Sequence, residues 1–151
     1  MITIRRARPD EADVLTRIAI TAKRHWKYPE HWMELWIPQL TFKPEYFEAN
    51  ECWVVEQNGD LIAFSTLEER NGNFWVENMW VLPECIGRGI GKKLFTHAVE
   101  LARQRGYKIL QLEAEPNAVG FYEKMGLKII GEHQYDLEGQ PRRLPIMEMT
   151  L

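Results

Sequence analysis

Residues 83–91 read PECIGRGIG, three glycines at alternate positions set directly before an apolar helical run, KKLFTHAVELARQR. Bare backbone at a helix start leaves several amide N–H groups unpartnered and aimed outward with the positive end of the helix dipole. A Cβ there would hold a phosphate away from those amides. The turn therefore predicts an anion site, with Arg88, Lys92 and Lys93 adding positive charge.

What precedes the turn narrows the fold. CWVVEQNGDLIAFSTLEERNGNFWVENMWVLP predicts three strands, Cys52 to Gln57, Leu61 to Glu69 and Phe74 to Leu82. Asn58-Gly59 and Asn71-Gly72 are the hairpin signals between them, because a type I′ turn needs positive φ, which Asn and Gly tolerate. An antiparallel meander thus feeds the glycines, and two nucleotide readings fail on spacing. The P-loop GxxxxGK[ST] needs four residues between its glycines, where Gly87 and Gly91 enclose three, and a hydroxyl where Lys93 stands. The dinucleotide GxGxxG needs a βαβ start, and GRGIGK supplies GxGxG after a meander. A purely structural turn, letting helix and strand pack closely, stays open at this point.

The rest of the chain supplies the other layers. ITIRRA alternates as a strand, and after Pro9 and Asp10 a helix is expected with Val14, Leu15, Ile18 and Ala19 on its apolar face. The aromatic segment from Trp26 to Phe47 is interrupted by Pro29, Pro38 and Pro44, predicting short helices broken by prolines. After the glycines, Ile90, Leu94, Phe95, Ala98, Val99, Leu101 and Ala102 fall at helical spacing up to a stop at Gly106. A strand from Ile109 to Ala114, a short helix in NAVGFYEKMG ending at Gly126, and a final strand pair, LKIIGEHQYDL with RRLPIMEMTL, complete the reading.

This order, with VLPECIGRGIGKKLF and then NAVGFYEKMGL, resembles the GNAT superfamily of acyl-CoA-dependent N-acyltransferases over essentially the whole chain. The family pattern [RQ]xxGx[GA] falls on Ile86 to Gly91, with Ile86 in place of Arg or Gln, and FYEKMGL is similar to FYxKxGF with Leu127 in place of the aromatic. The resemblance implies an α+β, three-layer fold with a mixed, mostly antiparallel central sheet flanked by helices. It implies acetyl-CoA as the donor, with Trp80, Val81, Leu82, Gly87, Arg88, Gly89, Ile90, Gly91, Lys92, Asn117, Phe121, Tyr122 and Lys124 around it. Many members place the asparagine two residues earlier, where this chain has Glu115. The family also lets the pantetheine arm pair with backbone in a splay between its fourth and fifth strands, and it is usually homodimeric.

Acyl transfer to an amine needs a neutral nucleophile, donors for a developing oxyanion and a proton for the leaving thiolate. Alkyl amines titrate near pH 10 and thiols near about 8.5, so a base is required and a phenol suits the thiolate. Tyr122 is expected in that second role, and Glu77, the one carboxylate in FWVENMWV, as the base. A packed core tyrosine and an ion-paired surface glutamate are the plain alternatives. Main-chain N–H groups near Trp80 to Leu82 are expected at the oxyanion. Trp26, Trp32 and His25, with His31 and Glu34 behind them, are candidates for the acceptor side, the aromatics through packing or cation–π contact.

Totals exclude little else. With 151 residues the chain is expected to be one domain, 1–151, and a net charge of −3 gives no global field for nucleic acid. No stretch is long enough for a membrane span and the N-terminus lacks a signal-peptide core, so a cytoplasmic protein is expected. Cys52 and Cys85 match no disulfide or CxxC pattern, and the four histidines match no metal spacing, so no metal is expected. Ser65, the sole serine, lacks a GxSxG setting. Two functions follow: an acetyl-CoA-dependent N-acetyltransferase acting on a primary amine of a small molecule or peptide, or a catalytically silent acyl-CoA-binding regulatory module.

Overall fold

In the computed structural model, which describes residues 1–151, the meander is present as read from the sequence. Strand β1 (Ile2–Arg6) pairs with β2 (Glu51–Gln57), and β3 (Asp60–Arg70) and β4 (Asn73–Val81) continue antiparallel. Asn58, Gly59, Asn71 and Gly72 have φ of 53°, 87°, 52° and 82°, the left-handed values that two-residue hairpins require. With β5 (Ile109–Glu113), β6 (Lys128–Leu137) and β7 (Gln140–Thr150) the sheet has seven strands in the order β1-β2-β3-β4-β5-β7-β6. Only β4 and β5 are parallel, and the crossover that a parallel pair demands is helix α4 (Ile90–Gln104). The fold is α+β with a mixed, mostly antiparallel sheet.

Helices cover both faces. Helices α1 (Ala12–Arg24), α2 (Glu30–Leu40) and α3 (Pro44–Ala49) lie on one side, where Leu15, Ile18, Met33 and Trp36 pack with Val54 and Phe64. On the other side, Ile90 and Leu94 of α4 meet Val55 and Ala63, while Phe95, Ala98 and Ala102 meet Phe74, Val76, Leu110 and Leu112. Adjacent residues Val54 and Val55 thus serve opposite layers, as strand alternation dictates. Because β3 is central, its run from Ile62 to Leu67 is buried throughout. Each fully buried Phe or Leu here contributes about 1.5–3 kcal/mol. Helix α5 (Val119–Lys124) completes the second layer.

Local expectations need three corrections. Val14 is 36% exposed, since the buried stripe of α1 runs through Ala12, Leu15, Ile18, Ala19 and Ala22. Pro38 does not break α2, which continues to Leu40, because a proline so near the C-terminus interrupts little of the ladder. Strand β7 begins at Gln140, two residues before Arg142, carried by a Glu138-Gly139 hairpin with φ of 52° and 80°. The helix stops fall at Gly106 and Gly126, and both are left-handed, with φ of 82° and 102°. No helix is long and apolar enough to cross a membrane.

Candidate active site

The β4–β5 pairing covers only Phe74↔Leu110 and Trp75↔Gln111, although β4 runs on to Val81 and β5 to Glu113. Past Trp75 the two strands part, and the gap is a cleft of about 820 Å³. Leu82 N–H donates to Ile62 C=O at 2.9 Å, on the β3 side. Alternation along the strand then turns the N–H groups of Val81 and Met79 toward the open edge. Leu82's own amide is consumed, which removes it from the oxyanion candidates.

At one end of the cleft the chain turns into α4. A 3-10 turn at Pro83–Cys85 ends in extended Ile86, and Gly87 and Gly89 adopt φ of 84° and 78°. An added Cβ at either glycine would meet no protein atom within 4 Å, so they are required by conformation and leave room for a ligand. Gly89 caps α4 without a side-chain hydrogen bond, and the first amide tied back is Lys93 N–H to Gly89 C=O at 3.1 Å. The amides of Ile90, Gly91 and Lys92 therefore remain for an anion. Gly91 serves packing as well: a Cβ there would sit 3.6 Å from both Met79 and the Phe121 ring.

Tyr122 of α5 lines the cleft. It is 7% exposed, its ring 5.6 Å from Phe95 and 5.2 Å from Phe121, both edge-on, and no protein group bonds its hydroxyl. Burial, with Glu115 nearby, raises the phenol pKa far above its ordinary value, so it is protonated at neutral pH. Glu77 also lines the cleft, but from an exposed position in an ion pair with Arg70, whose guanidinium lies 4.6 Å over Trp75. Although its surface is exposed, partial desolvation by the cleft walls, with Glu68 nearby, pushes its carboxyl above the ordinary range against the pull of Arg70.

Of the residues singled out in the sequence, the cleft gathers Trp26, Glu77, Trp80, Val81, Gly87, Gly89, Gly91, Lys92, Asn117, Phe121 and Tyr122. Others lie apart from it. The Ile90 side chain is in the core, Leu82 packs against the same clusters, and Lys124 is exposed. Arg88 reaches Gln57 at 3.0 Å and Cys85 Sγ at 3.7 Å. His25 is exposed, edge-on to Trp26 at 4.7 Å, while Trp32 sits behind Tyr28 and Trp36. His31 pairs with Glu138 at 3.4 Å and Glu34 is exposed.

The cleft also holds a cluster of which motif reading marked only Asn117. Glu115 accepts Lys23 Nζ at 2.8 Å, Asn117 Nδ2 at 2.8 Å and the Tyr28 hydroxyl. Burial works to raise the Glu115 carboxyl, yet these three donors hold it below its ordinary value. Burial also lowers the Lys23 ammonium, and here Glu115 does not fully compensate. The two directions describe a pair whose carboxylate is saturated with donors and whose lysine has a single acceptor, so the looser proton is the lysine's. Burial and Glu115 push the Tyr28 phenol up to about 12. Arg142 closes the cluster 5.0 Å over Tyr28 and 5.4 Å over Trp32 and Trp36. Glu115 was legible only as the residue two before Asn117, and no motif contains Lys23.

With this geometry in hand, comparison decides the family. The model of the acetyltransferase (GNAT) family matches residues 15–127. The chain belongs to the GNAT family. It is an N-acetyltransferase. Among relatives, it is 32% identical over 145 residues to the peptidyl-lysine N-acetyltransferase YjaB of Salmonella typhimurium, spanning 93% of each chain. It is 27% identical over 136 residues to the 5-NmdU N-acetyltransferase of Pseudomonas phage PaMx11, spanning 87% of this chain and 91% of that one. Among solved structures, the PaiA N-acetyltransferase of Thermoplasma acidophilum in complex with coenzyme A shares the fold with a TM-score of 0.81, at 22% identity over 100% of this chain and 99% of that one.

Proposed function

We propose that this protein transfers the acetyl group of acetyl-CoA to a primary amine, with the lysine side chain of a peptide as the favoured acceptor. The observation that carries the reading is the parting of β4 from β5 between the glycine turn and Tyr122. Acetyl-CoA would supply an activated acetyl thioester. The open space around Gly87 and Gly89 suits its diphosphate, which the free amides of the α4 start and Lys92 would hold. The Met79 and Val81 edge would take the extended arm as a further strand, with Val81 N–H as the oxyanion donor. Tyr122 would give its proton to the leaving thiolate, and Glu77 would accept the proton of the amine. Ile86, exposed at the turn, replaces a side chain with backbone as the means of grip.

The peptide acceptor is supported by the similarity to YjaB, a peptidyl-lysine N-acetyltransferase. Tyr28 and Trp36 place aromatic faces about the ammonium of the chain's own Lys23, which lines the same cleft, so the surroundings there suit a lysine side chain. We take residues 1–151 as one catalytic domain, working in the cytoplasm without a metal, alone or as a homodimer. Calorimetry with coenzyme A and thiol release across lysine peptides and small amines test the reading. Binding with turnover on lysine peptides is expected. Binding with no turnover across the panel would identify a silent cofactor module.

A further inference from the structure

We propose that Lys23 is itself an acceptor, acetylated in cis by its own active site. Only two lysines line the cleft, Lys23 and Lys92, and Lys92 sits at the glycine turn, where phosphates are expected. Lys23 Nζ lies 4.3 Å over the Trp36 ring, 4.8 Å over the Tyr28 ring and 2.8 Å from Glu115. Two aromatic faces and a carboxylate are the chemistry that grips an ammonium. The chain thus presents its own ε-amine much as it would hold a foreign one.

The groups needed for reaction are in place. Burial lowers the lysine pKa and so favours the neutral amine that can attack. Glu115 is in contact to accept the released proton, and its charge is felt by the Tyr122 phenol, which donates at the other side of the reaction. In the step, a bond forms between Lys23 Nζ and the acetyl carbonyl carbon while the carbon–sulfur bond breaks. One ammonium proton leaves before attack and one with amide formation; one protonates the thiolate, the other passes to solvent through Glu115. The balance is lysine ammonium plus acetyl-CoA giving acetyl-lysine, coenzyme A thiol and one proton. No other reagent is required. An amine tethered in the cleft reacts without meeting a second molecule, which favours it over free lysine at low concentration.

This inference rests on the acetyl-CoA reading above, and the experiment separates the two. The protein is incubated with isotopically labelled acetyl-CoA and no acceptor, then digested and mapped by mass spectrometry, with coenzyme A binding followed by calorimetry. One labelled acetyl group on Lys23 is expected, gained with a first-order rate unchanged on dilution. Tyr122→Phe should slow the labelling, and Lys23→Arg, which keeps the charge facing Glu115, should abolish it. Bound coenzyme A and turnover on lysine peptides, with Lys23 unlabelled, overturn this inference alone. A labelling rate proportional to protein concentration overturns modification in cis. Failure to bind coenzyme A overturns the acetyl-CoA reading and this inference together.

Discussion

The Lys23 ammonium and the Glu115 carboxylate meet at 2.8 Å, 92 residues apart in sequence, with both side chains only 12% exposed. Removing one partner of such a pair strands the other charge, which typically costs 3–5 kcal/mol. Glu115→Ala is expected to lose about 3 kcal/mol in urea unfolding at neutral pH. The sign with pH follows from the lowered carboxyl. Its stabilisation is complete above the unfolded value, about 4, and is lost as pH falls through the folded one. Lys23, also lowered, opposes this at neutral pH and ceases to do so only in alkali. Wild type and variant should therefore converge in acid, and a gap that stays constant down to about pH 3 would show that the pair contributes nothing.

Gly89 combines a φ of 78° with open space where a side chain would point. Gly89→Glu should cost only about 1–2 kcal/mol of backbone strain. The carboxylate would nonetheless lie before the α4 amides and repel a diphosphate. Coenzyme A affinity by calorimetry is expected to fall by about 100-fold or more, equivalent to roughly 2.7 kcal/mol, while the protein stays folded by circular dichroism. Unchanged affinity would move the anion site elsewhere.

Sequence alone showed the elements whose cause is local. Asn58-Gly59, Asn71-Gly72, Gly106 and Gly126 are turns and stops because their backbones must be left-handed, and that requirement is written in residue type. Gly87 and Gly89 were marked for a different reason, the bare amides they leave at a helix start, and their left-handed φ came only with the structure. The Glu138-Gly139 turn was not marked, since glutamate carries no preference for positive φ. Placement across the fold was harder to read. Lys23, Tyr28, Glu115 and Arg142 come from α1, the loop after it, the connection after β5 and β7, and nothing in their neighbours announces that they converge. Trp26 and Trp32 are similar in sequence setting, yet one lines the cleft and the other backs it, because the α1–α2 connection turns between them.

Tyr122 owes its orientation to Phe95 and Phe121 and not to any bond from its hydroxyl. Tyr122→Phe keeps that packing, so stability should change by less than about 0.5 kcal/mol. Loss of a general acid is expected to lower kcat by about 10²-fold, with coenzyme A affinity within about twofold of the parent. Steady-state thiol release beside calorimetry separates the two effects. A parent-like kcat would make the tyrosine a packing residue.

Glu77 is the proposed proton acceptor, and its ion pair with Arg70 offers a way to test it. A carboxylate accepts a proton only when ionised, so kcat/KM should fall as pH drops through the Glu77 pKa. Partial desolvation by the cleft walls raises that pKa and Arg70 restrains the rise. Arg70→Met removes the restraint, and the acid limb of the kcat/KM profile should move to higher pH while activity at the alkaline end is retained. Glu77→Gln should flatten the same limb and lower the plateau by about 10²-fold. A limb that stays in place in both variants would assign the titration to another group, and Glu77 would then be a surface partner of Arg70 alone.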